Sequence, residues 1–249
     1  MKIYSVKSIT EIWTKNYLIS HGVIGNTSAF GADVQSSSLC GKTKIIKMNL
    51  LTQNTKLKKT SKALELRVFN FGIPAYKSSS GKLTCPMADG CIKFCYAKKG
   101  AYIWSNVKPA FEKRYELSKT DNFITEMNKE IRKKKPDYVR VHDSGDYYSR
   151  AYLHKWIQVA NDNPNVRFYS YTNMIKMFLN VPLPNNYDVI FSDSGKQKEL
   201  IDERQHRHTK IFTSSSDLDN AGYVNASVVD LYATRWFTPL NKKVGLVFH

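Results

Sequence analysis

The sequence predicts an α/β protein whose strands form a TIM-like, partial β/α barrel. Apolar strand segments alternate with amphipathic helical segments along the chain, a pattern typical of parallel sheets. No internal repeat or Gly/Ser-rich linker divides the chain, and its most informative polar turns follow predicted strands, as in barrel enzymes. We therefore predict a single domain over residues 1–249, with a basic, polar N-terminal extension at 1–62 and a barrel core at 63–249.

The first elements of the predicted core surround a cysteine-rich loop. Residues 63–76 are rich in apolar and aromatic side chains and predict a strand, which the loop follows. Helices are predicted next at 105–119 and 121–135. The second of them is expected to begin with Asp121 as its N-cap and to end before Pro136.

The second half of the core continues the alternation. Residues 137–146 predict a strand followed by a turn, and 149–164 predict an amphipathic helix that ends at a proline. The remaining predictions are strands at 166–173, 187–195, 208–216, 226–235 and 244–249, and a short helix at 198–207. Functional side chains are then expected on the loops that follow the carboxyl ends of the strands.

The charge of the chain predicts a polyanionic partner. Its 38 Lys and Arg residues outnumber 21 acidic residues, which gives a formal charge of +17. Basic residues cluster in runs at 56–62, 93–99, 130–135 and 203–210, and the chain also holds 15 Tyr and 12 Phe. Any single run is typical of a solvated surface, but the sum favours DNA as a partner, because Lys and Arg contacts to phosphate supply most sequence-independent affinity.

The apolar segments predict no membrane association. The sequence has no run of 18 apolar residues, and its N-terminal segment lacks the continuous apolar stretch of a signal peptide. We therefore expect a cytoplasmic protein, in the host cell if the gene is carried by a phage. In a reducing compartment, a cysteine cluster more often binds metal or performs redox chemistry than forms disulfides.

Three of the four cysteines predict a metal site. Cys85, Cys91 and Cys95 have the spacing C-x5-C-x3-C in a loop that also contains Pro86 and Gly90. Three thiolates from one tight loop suit a zinc ion or an iron–sulfur cluster with one open iron, and the spacing does not choose between them. The alternative is three small buried apolar side chains. A fourth ligand is open between Cys40, a histidine and none.

A second group of polar residues follows the strand predicted at 137–141. His142, Asp143, Ser144, Gly145 and Asp146 stand in sequence there, and two carboxylates beside a histidine suit proton transfer. The alternative is an Asx-turn with a helix cap.

Two further aspartates follow predicted strands. Asp193 lies in a related SDSG turn, and Asp230 ends the apolar run ASVVD. A lone aspartate at such a position is also commonly a helix cap.

Three segments together resemble a known family. TCPMADGCIKFCYAKKGAY, VRVHDSGDYYS and W-x-x-x-A-x-x-x-P-x-VRFYSYTN are similar, in order and spacing, to the phage family named after a mycobacteriophage gene product eighty-eight. The resemblance covers about residues 64–175 and implies a phage source without implying a chemistry.

A second resemblance is to the transglycosylases that exchange guanine for a 7-deazaguanine, including the phage branch acting on DNA. Asp143-Ser144-Gly145 resembles their Asp-Ser-Gly turn, and Asp230 with Thr234-Arg235 resembles their nucleophile segment. The chain departs from them in having Asp146 where a second glycine is usual and in placing its cysteines before the aspartates.

The transglycosylase resemblance implies a TIM-type barrel with a structural zinc on the cysteines, and we favour it as the function. Asp230 would attack the sugar C1′ of a flipped-out guanosine and Asp143 would transfer the proton, as in retaining glycoside hydrolysis. The base and its surroundings would be contacted by the remaining polar and aromatic candidates, which are His142, Ser144, Gly145, Asp146, Tyr147, Tyr171, Asp193 and Arg235.

The competing resemblance is to radical S-adenosylmethionine enzymes, whose partial barrels carry three cysteines after the first strand. Cys85, Cys91 and Cys95 occupy that place, Phe94 resembles the aromatic residue before the last cysteine, and Ser144-Gly145-Asp146 resembles the Gly-Gly-Glu turn. The usual C-x3-C-x2-C spacing is not kept. This resemblance implies a 4Fe–4S cluster with S-adenosylmethionine; a metal-containing nucleic-acid-binding protein without catalysis is the third alternative.

Overall fold

The computed structural model describes residues 48–93 and 95–247, which form an α/β unit around one parallel sheet. The sheet is curled into a half-barrel, which confirms the α/β class and the partial barrel-like curvature. Its seven strands are β1 (Val68–Phe71), β2 (Tyr138–Val141), β3 (Arg167–Thr172), β4 (Tyr187–Ser192), β5 (His208–Phe212), β6 (Val224–Asn225) and β7 (Val244–Val247).

Because all the strands are parallel, their carboxyl ends lie at the same end of the sheet. Within the described residues the order is β1-β2-β3-β4-β5-β7-β6 and every neighbouring pair is parallel, so the sheet is open with β1 and β6 at its two edges. The loops that follow β1 to β5 therefore meet at the same end of the half-barrel, where ligands bind in open α/β sheets.

Six α-helices connect or cover these strands in the described part of the chain. They are α1 (Thr55–Leu64), α2 (Lys108–Lys119), α3 (Phe123–Lys134), α4 (Arg150–Asp162), α5 (Ile175–Phe178) and α6 (Ser215–Asn220). None of the helices that the structure describes combines the length and the apolar character that a membrane crossing requires.

The two faces of the sheet are packed differently because side chains alternate along each strand. Phe71, Val139 and Phe168 point to an outer face, where the larger apolar cluster packs them against α3 and α4 through residues such as Trp156. The opposite, inner face holds a smaller cluster that includes Tyr138, Tyr169 and Ile190 together with Leu57 of α1. Helix α1 thus covers part of the inner face rather than the outside of the half-barrel.

The helix boundaries follow local capping chemistry. The Asn54 side chain accepts a hydrogen bond from the backbone N–H of Leu57 at 2.9 Å and begins α1, and Ser149 caps α4 in the same way. Helix α3 ends at Lys134 just before Pro136, as predicted. The prediction of Asp121 as its N-cap is wrong, because Asn122 occupies that position and its side chain makes no capping bond.

The predicted strand at 63–76 is shorter in the structure. Helix α1 extends through Leu64 and ends at Glu65, whose φ of 55° is left-handed, so only Val68–Phe71 pairs with β2. Residues 50–64, which lie in the predicted N-terminal extension or at its end, pack on the sheet: Leu50 and Leu51 belong to the outer cluster and Leu57 to the inner one.

Two other predicted elements are corrected. Residues 198–207 form only a 3₁₀ turn at Lys198–Leu200, because the Asp202 side chain accepts hydrogen bonds from Arg204 and Gln205 and holds a polar turn instead of a helix. The predicted strand at 226–235 is a 3₁₀ turn at Asp230–Ala233. There the backbone N–H of Asp230 donates to the Thr60 hydroxyl at 3.0 Å and not to a neighbouring strand.

Candidate functional site

A cavity of about 500 Å³ lies at the carboxyl ends of the strands on the inner face. Its size is in the range of small-molecule sites. Residues from the cysteine loop, the turn after β2, the ends of β3 to β5 and the N-terminal turn of α1 line it together. The strand order thus brings together residues that are far apart in sequence.

The cysteine loop is attached to several strand ends. The Thr84 hydroxyl donates to the carbonyl oxygen of Pro74 at 2.6 Å, and the Thr84 carbonyl accepts from the backbone N–H of Asp146 at 2.9 Å. Further along, the backbone N–H of Lys196 donates to the carbonyl of Met87 at 2.9 Å. These bonds tie the loop to the ends of β1, β2 and β4, so it extends over the cavity.

Cys85, Cys91 and Cys95 all line this cavity, and all three are half-buried free thiols. The backbone N–H of Tyr76 donates a hydrogen bond to the Cys85 sulfur at 3.4 Å, an interaction that stabilises negative charge on a ligating thiolate. Burial raises the pKa of the Cys85 thiol, and the nearby Asp146 carboxylate adds to the rise. Burial also raises the pKa of Cys95.

These pKa directions disfavour free catalytic thiolates, because only the deprotonated form is nucleophilic. A bound metal deprotonates its thiol ligands, so the same three side chains remain suitable as metal ligands. No group of three or more His, Cys, Asp and Glu side chains in residues 48–93 and 95–247 meets the geometry expected around one metal ion. Cys40 and Phe94 lie outside the described residues.

The turn after β2 is held against the end of β1 by close packing. Gly145 has a φ of 81°, and a side-chain Cβ at this position would lie 2.2 Å from Cγ1 of Ile73. The Ile73 backbone N–H donates to the Ser144 carbonyl at 3.0 Å. Glycine is therefore required at 145 both for its backbone conformation and for lack of space. The turn presents Asp143, Ser144 and Asp146 to the cavity.

Asp146 is a buried carboxylate with only uncharged donors. Its oxygens accept hydrogen bonds from the Thr172 hydroxyl at 2.6 Å, the Asn173 backbone N–H at 2.9 Å and its neighbour Tyr147's N–H at 2.8 Å. Burial raises the pKa of Asp146 to about 6 although these bonds oppose the rise. At neutral pH the group is an anion whose charge no described cation contacts.

Asp143 shares the turn and is held by a different set of donors. Its Oδ2 accepts from the Tyr102 hydroxyl at 3.0 Å and from the Asn54 amide at 3.3 Å, and burial raises its pKa. The neighbouring His142 contacts the Tyr152 hydroxyl through Nε2 at 2.9 Å. Burial, aided by Arg140, lowers the pKa of His142 to about 3, so this histidine is neutral and is no ready proton donor at neutral pH.

On the inner face of the sheet, Asp230 lies beneath the cavity between two cations. Its carboxylate is fully buried and contacts the Lys56 ammonium at 2.6 Å and the Arg140 guanidinium at 3.1 Å. The hydroxyls of Tyr169 and Tyr171 donate to it at 2.7 Å and 3.2 Å. Burial alone would raise the pKa of Asp230, but Arg140 and Lys56 more than offset that effect and hold it well below its usual range.

Buried polar atoms without partners are concentrated at this site. Among the described residues, five buried side-chain N or O atoms lack a hydrogen-bond partner, and four of them belong to residues lining the cavity: Arg140, His142, Asp143 and Asn173. Buried polar groups are nearly always satisfied in native proteins, so such a concentration is typical of a site completed by a ligand.

Residues 48–245, nearly all of the described chain, match the model of a family described as Gene product 88. The chain belongs to the gene product 88 family. The family resemblance predicted from the three segments is therefore confirmed, and a bacteriophage origin is supported.

Two relatives carry the same name. This gene product 88 protein is 32% identical to the Gene 88 protein of Mycobacterium phage L5 over 117 residues, which are 42% of this chain and 47% of that protein. It is 28% identical to the Gene 88 protein of Mycobacterium phage D29 over 137 residues, 49% of this chain and 55% of that protein. The chain thus spans about half the length of the curated relatives it matches. No solved structure matches it.

Several candidate residues of this gene product 88 protein lie away from the cavity wall. Tyr147 is fully buried toward the outer face, where its hydroxyl donates to Ser170 at 3.0 Å. Asp193 is half-buried beside Ser192 and Ser194, which do line the cavity. Arg235 donates to the carbonyl of Tyr187 at 3.1 Å, at the opposite end of the half-barrel. Asp230 does not line the cavity either.

Other cavity residues were missed from the sequence. Lys56 belongs to a basic run that was assigned to the extension, and Arg140 stands within an apolar strand. A single arginine at an inward position of an otherwise apolar strand was the available signal, because a buried arginine requires a partner. Asn54, Tyr96 and Tyr102 carried no comparable signal, since their roles depend on loops that fold back over the sheet.

Proposed function

We propose that this gene product 88 protein is a radical S-adenosylmethionine enzyme that acts on nucleic acid, with DNA as the first substrate to test. The observation that carries the proposal is that Cys85, Cys91 and Cys95, in the loop after β1, line one cavity with the carboxyl ends of β2 to β5. The curled, parallel half-barrel sheet of this protein supports its resemblance to the partial barrels of these enzymes.

The donor set fits an iron–sulfur cluster with an open position. The three thiols border a cavity and not a closed interior, whereas structural zinc sites are closed by four protein ligands. The Tyr76 N–H bond to the Cys85 sulfur is of the kind that tunes cluster thiolates. When bound, a 4Fe–4S cluster supplies the electron that cleaves S-adenosylmethionine reductively and so allows a hydrogen atom to be taken from a substrate.

The protein's own residues bind and orient the ligand. S-adenosylmethionine carries an ammonium and a sulfonium, and the ionised Asp146 carboxylate offers a complementary charge beside the thiols. The Thr172 hydroxyl and the Asn173 N–H fix the orientation of that carboxylate. Ser192 and Ser194, farther along the wall, offer hydroxyls to the polar groups of a nucleoside.

The exposed surface of the segment that carries the cavity-lining Tyr96 supports a nucleic-acid substrate. The segment after the cysteines exposes Tyr96, Ile103 and Trp104, of which Trp104 is 60% exposed, next to the exposed Lys93 and Lys98. Basic side chains interleaved with exposed aromatic rings are typical of surfaces that bind single-stranded nucleic acid. The net charge of +17 favours the same partner.

The DNA-guanine transglycosylase resemblance is supported less well by this geometry. That reaction needs a carboxylate that reaches the sugar C1′. Asp230 is fully buried, and its carboxylate oxygens are engaged by two cations and two tyrosine hydroxyls. Asp143 does line the cavity, so a proton-transfer role for it remains compatible with either reaction. A structural zinc on the cysteines belongs to this second proposal.

Anaerobic purification followed by iron and sulfide analysis tests the proposal. We expect about four irons per chain with broad visible absorption, and production of 5′-deoxyadenosine from S-adenosylmethionine once a reductant is added. Each of Cys85→Ser, Cys91→Ser and Cys95→Ser should abolish both signals. Cys40→Ser is the matched control and should keep both.

Zinc in place of iron, with no S-adenosylmethionine cleavage, would refute the radical proposal. If the same preparation incorporates a labelled 7-deazaguanine into DNA and releases guanine without reductant, the transglycosylase is the correct function. DNA binding without either reaction would identify the non-catalytic binding protein.

A further inference from the structure

We propose that the N-terminal turn of α1, together with Lys56 and Arg140, forms a binding site for a phosphate group of the nucleic-acid substrate. This inference deepens the proposed function and rests on it for the class of substrate. It concerns the part of the cavity formed by α1 and β2, whereas the thiols and Asp146 form the part under the cysteine loop.

The first turn of α1 offers free backbone donors to the cavity. Asn54, Thr55 and Lys56 all line it. The Asn54 side chain satisfies the N–H of Leu57, and the N–H groups of Thr55 and Lys56 have no acceptor among the described residues. No acidic residue stands in this turn. The N-terminus of a ten-residue helix therefore faces the cavity with its partial positive charge available to an anion.

Two cationic side chains converge on the same place. Lys56 is carried by this turn, and Arg140 comes from the inner face of β2. Both contact the single carboxylate of Asp230 from above, at 2.6 Å and 3.1 Å. Asp230 is itself excluded from the cavity and holds both cations in position. The other carboxylate at this place is Asp143, whose Oδ2 accepts from the Asn54 amide at 3.3 Å and whose pKa is raised by burial.

Arg140 also retains unused hydrogen-bonding capacity. The residue is only 9% exposed, it lines the cavity, and its Nε has no partner among the described residues. Its guanidinium carbon lies over the Tyr171 ring, 4.7 Å from the ring centre, so the group packs against an aromatic face. A buried guanidinium with a free N–H is a costly arrangement unless a ligand accepts it, and phosphate oxygens suit its planar donors.

Among the described residues that line the cavity, Lys56 and Arg140 are the only Lys or Arg side chains, and they lie at α1 and β2. Asp146 stands near the thiols, where the cationic groups of S-adenosylmethionine would be accommodated. An anionic substrate group is thus directed to Lys56 and Arg140. The basic and aromatic surface of the segment that carries the cavity-lining Tyr96 favours nucleic acid over an acidic peptide as its source.

Binding of inorganic phosphate, followed by calorimetry or by ³¹P line broadening, tests the site directly. Lys56→Gln should weaken phosphate binding roughly tenfold or more, because a charge-assisted contact is lost. Lys58→Gln removes the same charge from an exposed position two residues along the same helix and should leave binding within about twofold. Lys56→Arg keeps the charge and should restore binding, which separates loss of the contact from misfolding.

Equal phosphate affinity in the wild-type protein and in Lys56→Gln would overturn the inference, as would the absence of any saturable phosphate binding. A short 5′-phosphorylated oligonucleotide should displace the bound phosphate, and displacement by a glutamate-rich peptide of equal charge but not by the oligonucleotide would refute the choice of nucleic acid. These measurements use no reductant and no S-adenosylmethionine. Their result therefore stands whether or not the protein holds a cluster.

Discussion

Each of the two walls of the cavity is associated with a buried carboxylate, and the two carboxylates are in opposite electrostatic states. The thiol wall consists of Cys85, Cys91, Cys95 and Asp146, and the cation wall consists of Lys56 and Arg140 over Asp230. Asp146 has only neutral donors and its pKa is raised, whereas Asp230 lies between two cations and its pKa is lowered. Burial alone therefore does not determine the charge of a carboxylate, because its hydrogen-bond and ion-pair partners determine whether the loss of hydration is compensated.

Removing Arg140 is expected to have the largest effect on stability. Arg140→Met leaves Asp230 fully buried with Lys56 as its only cation, and breaking a buried ion pair on one side typically costs about 3–5 kcal/mol. Urea denaturation of the wild-type protein and the variant measures the loss. Arg67→Met, which breaks the exposed pair with Asp137, is the matched control and should have a much smaller effect.

The double variant Arg140→Met/Asp230→Asn sharpens this test. Because it removes the uncompensated charge as well, it should be less destabilised than Arg140→Met alone. If the double variant loses as much unfolding free energy as Arg140→Met, or the sum of the two single losses, then Arg140 stabilises the inner face through packing on Tyr171 and not through its charge.

The opposite pKa shifts of Asp146 and Asp230 predict that the contributions of these two carboxylates to folding stability depend on pH in opposite directions. The pKa of Asp146 is raised from 3.8 to about 6 in the folded protein, so its stabilising contribution is complete below pH 3.8 and is lost as the pH rises through 6. Between pH 4 and pH 7 the wild-type protein should therefore lose about 2 kcal/mol of unfolding free energy relative to Asp146→Asn.

Asp230→Asn provides the contrast in the same series of unfolding measurements. The pKa of Asp230 is lowered, so its contribution is present above its usual pKa and is lost only as the pH falls below that value. The difference between the wild-type protein and Asp230→Asn should therefore be constant between pH 5 and pH 7. A difference that changes in this range would contradict the assigned charge state.

The third comparison concerns the turn that carries the acidic residues. Gly145→Ala and Gly81→Ala both place a side chain at a φ near 80°, but the Cβ at 145 would lie 2.2 Å from Ile73 whereas nothing lies within 4 Å at 81. The left-handed conformation costs both variants about 1–2 kcal/mol. The clash should cost Gly145→Ala about 1–3 kcal/mol more, measured by urea denaturation.

If the two glycine variants are equally stable, the turn after β2 can shift to accept the additional Cβ at no cost in stability. The close packing of the turn on the end of β1 then does not position Asp143 and Asp146. If only Gly145→Ala also loses the iron expected for the proposed cluster, the turn and the cysteine loop are coupled through the hydrogen bond between the Asp146 N–H and the Thr84 carbonyl.

The sequence alone determined the features that depend on local pattern. The alternation of apolar segments with helices predicted the parallel α/β sheet, and Pro136 correctly predicted the end of α3, because periodicity and backbone restriction act over a few residues. The clustered cysteines and the turn at 142–146 were also found from the sequence, since each group is contiguous in the chain. One wrong prediction also has a local cause: the Asp202 side chain accepts hydrogen bonds that hold a polar turn where a helix was predicted.

Only the tertiary structure determined which residues share the cavity. Lys56, Arg140 and Asp230 are separated by 84 residues or more, and they meet because α1 packs into the inner face of the curled sheet beneath the 3₁₀ turn that begins at Asp230. The same packing buries Asp230 and determines its charge. Tyr147 instead packs into the outer apolar cluster, so its ring does not line the cavity. Burial and long-range pairing depend on the whole sheet and on loop closure over it, and neither is encoded in a short stretch of residues.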